Sequence, residues 1–400
     1  MDATITPTLI VANLPRQALC GIDLLSFTTS LRFQGIKDLP PGWHFLFCAT
    51  TNSLSLRHGV WFYIDESHPV YDNIIVKKWN ASAEELESAD AAEALSWRAN
   101  LSAIWKDGLA PYRQSATKGS EFETEDRQDW QDLTEHLTAA LLCRITGGTA
   151  NDWTIDSASS AKRDQDHIPG LTSAESALEE EKELHFLPLD LKQTWRDGAV
   201  GRERTNAAKD RSWALGDIIN NYCHDDNQYE ILGEFQFCFL MMLVVANYSC
   251  LEQWKRILEL LCTCVEAVHT NPIFFTKFLR ILQLQLQHSD DVEGGLFDLS
   301  DEGAGVLKKL LMTLKKTLDE SSEAIVFPVK EQFDELEDFL KSQYKWELSS
   351  SYVRKGLLEL EDGEMVEMET NDFEEDEETG EYAPMVVELD DSQAKMIPGF

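Results

Sequence analysis

The chain has 400 residues, 43% hydrophobic and 10% aromatic, enough for two folded domains of ordinary size with some unfolded chain besides. Its formal charge of −36 disfavours direct binding of RNA or DNA, whose phosphates need a basic surface, and leaves a basic protein partner open. No stretch of about 18 or more apolar residues is free of charge, so no transmembrane helix is expected.

The N-terminal part reads as β-rich. "TLIVANL" (8–14) is a β-branched run closed by Pro15, and "GWHFLFCAT" and "GVWFYID" are aromatic, strand-length segments bounded by Pro-Pro-Gly and His-Gly. "NIIVKKW" (73–79) continues the pattern, which predicts a small antiparallel sandwich or barrel-like sheet. Helical signals follow. Residues 82–105 open on Ser82 with Glu85 three positions later, a capping-box spacing. Residues 123–145 place Trp130, Leu133, Leu137, Ala140 and Leu141 at helical intervals.

Residues 156–182 lose apolar content and gain Ser, Asp and Glu, and are expected to be a linker. "ELHFLPLDL" (183–191) suits a short strand or an extended docked segment. From about 208 to 347 the pattern is helical. One helix is expected around 229–247, where "FQFCFLMMLVVANYSCL" reads as a core helix because Gln236 and Asn247 interrupt it. An amphipathic helix is predicted over 251–269, and another after Asn271 as cap and Pro272 at the first helical position. Two more follow, and together they argue for a helical bundle or array. No internal repeat of 20–50 residues is visible, which argues against a solenoid.

The expected fold is thus α+β and multidomain. An N-terminal β-rich domain with flanking helices spans 1–155, a linker 156–182, and an all-helical domain 183–348. An acidic, unfolded tail occupies 349–400. Residues 359–391 hold sixteen Asp and Glu and no Lys or Arg. Within it "PMVVEL" (384–389) is a strand-forming exception. Met385, Val387 and Leu389 would face one side and Val386 and Glu388 the other, while Pro384 cannot donate a ladder bond. Such a segment suits pairing with the open edge of a partner's sheet; the alternative is that it folds back on its own domain.

Signals for chemistry are few. The histidines form no HExxH, and no GxGxxG, GxxxxGK[ST] or GxSxG occurs. The eight cysteines offer no CxxC, and the acidic runs lack the spacing of a calcium loop, so no metal and no cofactor is expected. Reduced, buried thiols in an intracellular protein fit this usage, as does an N-terminus without a basic region before its apolar run. His44, just after Pro-Pro-Gly, is the one candidate acid or base. A structural histidine bonded to backbone is the competing reading, because catalysis needs an orienting partner.

An ordered set of segments resembles a known family. "TLIVANLP", "CGID" (20–23), "FQGIKDLPPGWHFLF" (33–47), "GVWFYI", the run 231–262, "YKWEL" and "APMVVEL" are similar to the A1-cistron splicing factor family, which acts in assembly of the U5 small nuclear ribonucleoprotein. The resemblance weakens around 110–185 and 359–380. It implies a non-enzymatic factor with a β-rich and a helical domain. Its partner would be the large spliceosomal scaffold protein, contacted at its RNase H-like and Jab/MPN-type domains, with the U4/U6-unwinding helicase held off until release. The tail would bridge two partner domains through Pro384, Met385, Val386, Val387, Glu388 and Leu389. Leu14, Pro15, Gly21, Ile22, Asp23, Pro40, Pro41, Gly42, His44, Phe45 and Trp254 would be family-motif positions of structural role. No direct nucleic acid contact, no membrane, a monomer before binding, and a cytoplasmic location with nuclear access complete the expectation. A general protein-interaction adaptor, or an enzyme with a site near His44, are the alternatives.

Overall fold

Strand β1 (Thr8–Ala12) is buried along its whole length and lies at the centre of a five-stranded sheet. In the computed structural model, residues 6–51, 55–67, 74–113, 129–149, 152–167, 183–288, 301–346, 348, 353–359 and 365–371 are described. They show an α+β chain, β-rich at the N-terminal end and helical beyond it. Two compact units divide it, Met1–Trp346 and Glu347–Phe400.

The first sheet has the order β8 (Glu85–Ser88), β7 (Ile74–Asn80), β1, β4 (Gly35–Lys37), β9 (Leu109–Pro111). The second runs β10 (Trp153–Asp156), β6 (His58–Ile64), β5 (Gly42–Ala49), β2 (Leu19–Ile22), β3 (Leu25–Thr28). The second sheet is antiparallel throughout. The first is mixed, because β1 pairs parallel with β7 and β4 parallel with β9, which departs from the antiparallel expectation.

Period-two alternation sorts the strands into layers. Leu9, Val11, Ile36 and Trp79 of the first sheet meet Ile22, Leu46, Val60 and Phe62 of the second in one core. The far face of the first sheet (Ile10, Ile74, Val76, Leu109) is covered by Leu101, Trp97 and Ile104 of α1 (Ala91–Ile104). On the far face of the second sheet, Phe45 and Trp61 lie 5.0 Å apart, and Trp61 meets Trp130 at 6.0 Å and Phe237 at 6.2 Å between ring centroids. Both faces of β5 and β6 are therefore covered, which explains their unbroken apolar runs.

Helix α2 (Ala139–Thr146) precedes β10. The helical part then comprises α3 (Arg202–Lys209), α4 (Ser212–Tyr222), α5 (Tyr229–Val245), α6 (Tyr248–Cys262), α7 (Val265–Thr270), α8 (Pro272–Gln287), α9 (Asp301–Glu320) and α10 (Phe327–Tyr344). Helix α5 is buried on every side, as its apolar sequence requires. It ends at Ala246 in the left-handed conformation, and Asn247 then caps α6 by accepting from the Cys250 amide at 2.9 Å.

Four helix expectations change. Ser82 does not open a helix: 85–88 is a strand whose Leu86 enters the inter-sheet core, and the cap is Asp90, accepting from the Glu93 amide at 2.7 Å. The helix expected over 123–145 is interrupted; residues 129–133 are helical, and Thr138 caps a new helix at the Leu141 amide. The helix expected over 251–269 breaks after Cys262. The amides of Val265 and Glu266 are instead bonded by Asp210, and that of Ala267 by Ser212. Asn271 precedes Pro272 as expected but makes no side-chain cap.

Of the expected linker, residues 156–167 are held against the α5–α6 corner. The Asn247 amide donates to the carbonyls of Asp156 at 2.9 Å and Ser159 at 2.7 Å, and the Ser157 hydroxyl to that of Val245 at 2.7 Å. Residues 168–182 lie outside the described residues. In the second unit, β11 (Val353–Glu359) and β12 (Met365–Asn371) form an antiparallel hairpin with Lys355 opposite Glu369, a strand pair that the acidic composition of this stretch conceals. The tail strand 384–389 lies outside the described residues.

Candidate functional site

Two of the family-motif segments of the β-rich part, 20–23 and 33–47, meet at one buried carboxylate. Asp23 follows β2 with φ of 56°, a left-handed conformation that Asp tolerates better than most residues. Its amide donates to the Phe45 carbonyl and its Oδ1 accepts from the Phe45 amide, both at 2.9 Å, which ties the β2–β3 turn to β5. Its Oδ2 accepts from the Tyr112 hydroxyl at 2.5 Å and lies 2.8 Å from His44 Nδ1. His44 Nε2 lies 2.8 Å from the Pro40 carbonyl. Burial acts against charge on this imidazole, but the Asp23 carboxylate and the Pro40 carbonyl outweigh it and hold its pKa above the ordinary value. The ring stacks on Phe62 at 5.5 Å, and its side chain is 1% exposed.

Neighbouring motif residues shape this node. Gly21 faces Phe47 across the β2–β5 ladder, and a Cβ there would fall 2.0 Å from the Phe47 ring. Gly42 opens β5 with φ of +122°, a conformation rarely adopted by residues with a side chain. Pro40 and Pro41 lead into it, and Ile22 and Leu14 pack in the inter-sheet core. Pro15 accepts from the Ala18 amide in the turn before β2. Trp254 sits apart, in the helical core, stacked on Phe235 at 5.4 Å and donating to Gln285 Oε1 at 2.8 Å. In this arrangement His44 has an acceptor at each ring nitrogen.

A second buried network joins the β-rich and helical parts. Arg144 of α2 donates through Nε to Glu230 and through Nη2 to Glu234, both at 2.8 Å, and through Nη1 to the His185 carbonyl at 3.0 Å. Burial works against the guanidinium charge, yet the two carboxylates raise its pKa further. Glu234 also accepts from the Leu187 amide and, at 2.6 Å, from Gln253 Nε2. Arg163 donates to Gln253 Oε1. These partners escaped the sequence reading, as did Tyr112. The available signal was Glu230 and Glu234, one turn apart inside an apolar run: two acids on one face of a core helix require a buried cation.

Among the described residues no group of three or more His, Cys, Asp or Glu is placed to hold a metal ion, and no helix is long and apolar enough to cross a membrane. The predicted partner-binding residues Pro384 to Leu389 lie outside the described residues.

Residues 5–147 match the family described as AAR2 N-terminal domain, and residues 186–349 that described as AAR2 C-terminal repeat region. The chain is 24% identical to the mouse protein AAR2 homolog over 368 residues, covering 86% of this chain and 90% of that protein. Identity to the human protein AAR2 homolog is 25% over 305 residues, covering 70% of this chain and 75% of that protein. With the Saccharomyces cerevisiae A1 cistron-splicing factor AAR2 it is 23% over 269 residues, covering 64% and 70%. The two matched regions hold β1–β9 and the helices α3–α10, and the chain belongs to the AAR2 family of A1 cistron-splicing factors.

Proposed function

We propose that this splicing-related AAR2 factor is a non-enzymatic assembly factor for the U5 small nuclear ribonucleoprotein. It binds the large spliceosomal scaffold protein at its RNase H-like and Jab/MPN-type domains and holds off the U4/U6-unwinding helicase until release. The observation that carries this reading is the pair of AAR2 matches, over 5–147 and 186–349, in family order. A binding role rather than catalysis is supported by His44, whose two ring nitrogens lie 2.8 Å from Asp23 and from the Pro40 carbonyl beneath the surface.

The tail segment 384–389 supplies a strand to the partner's sheet, with backbone bonds giving affinity and alternate side chains entering pockets. Its acidic surroundings favour a basic partner surface over nucleic acid. The protein is monomeric before binding, needs no cofactor, and works in the cytoplasm with access to the nucleus. Removing residues 381–400 tests the tail. Capture of the scaffold's C-terminal region should fall by about tenfold or more, with the thermal unfolding of the remaining chain unchanged. Undiminished capture would remove the tail from the mechanism.

A further inference from the structure

A groove of about 310 Å³ lies in the first unit between the extended segment around 188–197 and helix α4. Its size is at the small end of ligand clefts, which span roughly 300–1,000 Å³. Trp195, Trp213 and Tyr222 supply aromatic surface and Asp190, Asp197 and Asp217 supply charge, with no Lys or Arg in the lining. Trp213 is 44% and Tyr222 51% exposed, although Trp and Tyr are the side chains that most often anchor binding partners. Among the described residues the carboxylates have neutral donors. Asp190 accepts from the Lys192 amide at 2.9 Å, Asp197 from Gln193 at 3.4 Å, and Asp217 from Asn221 at 2.9 Å.

The walls are fixed. Ala214, Leu215 and Ile218 are the buried residues of α4, Ala214 and Ile218 forming part of the groove floor, and the Thr194 hydroxyl donates to the Ala207 carbonyl at 2.7 Å. Trp213 and Asp217 stand four residues apart, which places side chains next to each other on one helix face. An indole and a carboxylate side by side match a guanidinium, which stacks on the first while its fork meets the second. The chain uses the stacking half of this mode at the groove's edge, where Arg204 lies 5.5 Å over the Trp195 ring. Acid lining repels phosphates and the ammonium of Lys lacks the planar face, so the chemistry selects an arginine-bearing peptide.

We propose that this groove docks a partner protein segment through an arginine stacked on Trp213 and paired with Asp217. The proposal uses none of the tail residues, so it and the tail's role can fail independently. The test uses the full chain and a fluorescein-labelled Gly-Arg-Gly-Arg-Gly peptide, read by anisotropy. Trp213→Ala and Asp217→Asn should each weaken binding by about tenfold, the loss expected for a cation–π contact or a charge pair. The Lys version of the peptide should bind several-fold more weakly. Triple replacement Glu374→Gln, Glu375→Gln and Glu377→Gln removes more charge and should leave affinity within about twofold, because the contact is made by the groove residues and not by the net acidity of the chain. Equal loss in the tail variant, wild-type affinity in Asp217→Asn, or equal binding of the Lys peptide would overturn the proposal.

Discussion

Arg144 and Glu234, ninety positions apart in the chain, meet at 2.8 Å where the β-rich and helical parts join. Glu234 is fully buried and Arg144 one-quarter exposed, so the pair acts as a seam within one folded body. Arg144→Ala should destabilise the protein by about 3–5 kcal/mol, because it strands two buried carboxylates. Equilibrium urea unfolding measures this. Arg144→Lys should recover part of the loss, since it restores charge without the two-pronged fork.

His44 makes stability depend on pH. Its folded pKa is raised, so its contribution is fully present below the unfolded value of about 6.5 and is lost as pH rises through the folded value. Urea midpoints should therefore decline above about pH 6.5 in the wild type, and His44→Gln should flatten that decline. An imidazole titration by NMR with a midpoint below about 6.5 would contradict this assignment.

Gly21 leaves room for the Phe47 ring, which would lie 2.0 Å from an added Cβ. Gly21→Ala should cost about 1–3 kcal/mol through forced repacking, read as a lower urea midpoint at unchanged slope.

Seven of the eight cysteines are buried, and Cys143 is partly exposed. Burial pushes the Cys223 thiol up to about 12 and raises Cys48 and Cys238 as well. Native protein at pH 8 should therefore give a fast thiol-reagent reaction at no more than one cysteine, Cys143, and all eight should react in denaturant. Fast native modification of Cys48 or Cys238 would contradict the packing described.

The strands around Phe45 and Trp61 were legible because aromatic runs buried on both faces leave a strong local pattern. The helix breaks were not. The Ser82–Glu85 and Asp90–Glu93 pairs have the same capping spacing, and the choice between them rests on Leu86 entering a core built from distant strands. The break after Cys262 is fixed by Asp210, 55 positions before Val265, which no local window contains.

The candidate site divides in the same way. Asp23 and His44 lie in segments that resemble the family, but their partner Tyr112 is 89 positions from Asp23, where the family resemblance weakens. The groove between Trp195 and Trp213 depends on an extended segment packing beside a helix, which carries no sequence motif. The tail strand is the reverse case, conspicuous in the acidic sequence and outside the described residues.

Co-purification from cell extract, with the tagged full chain as bait and its companions identified by mass spectrometry, tests the proposed assembly role. That role requires the large U5 scaffold protein in the eluate and the U4/U6-unwinding helicase absent from it. Recovery of the scaffold and helicase together on the bait, or of neither, would contradict it.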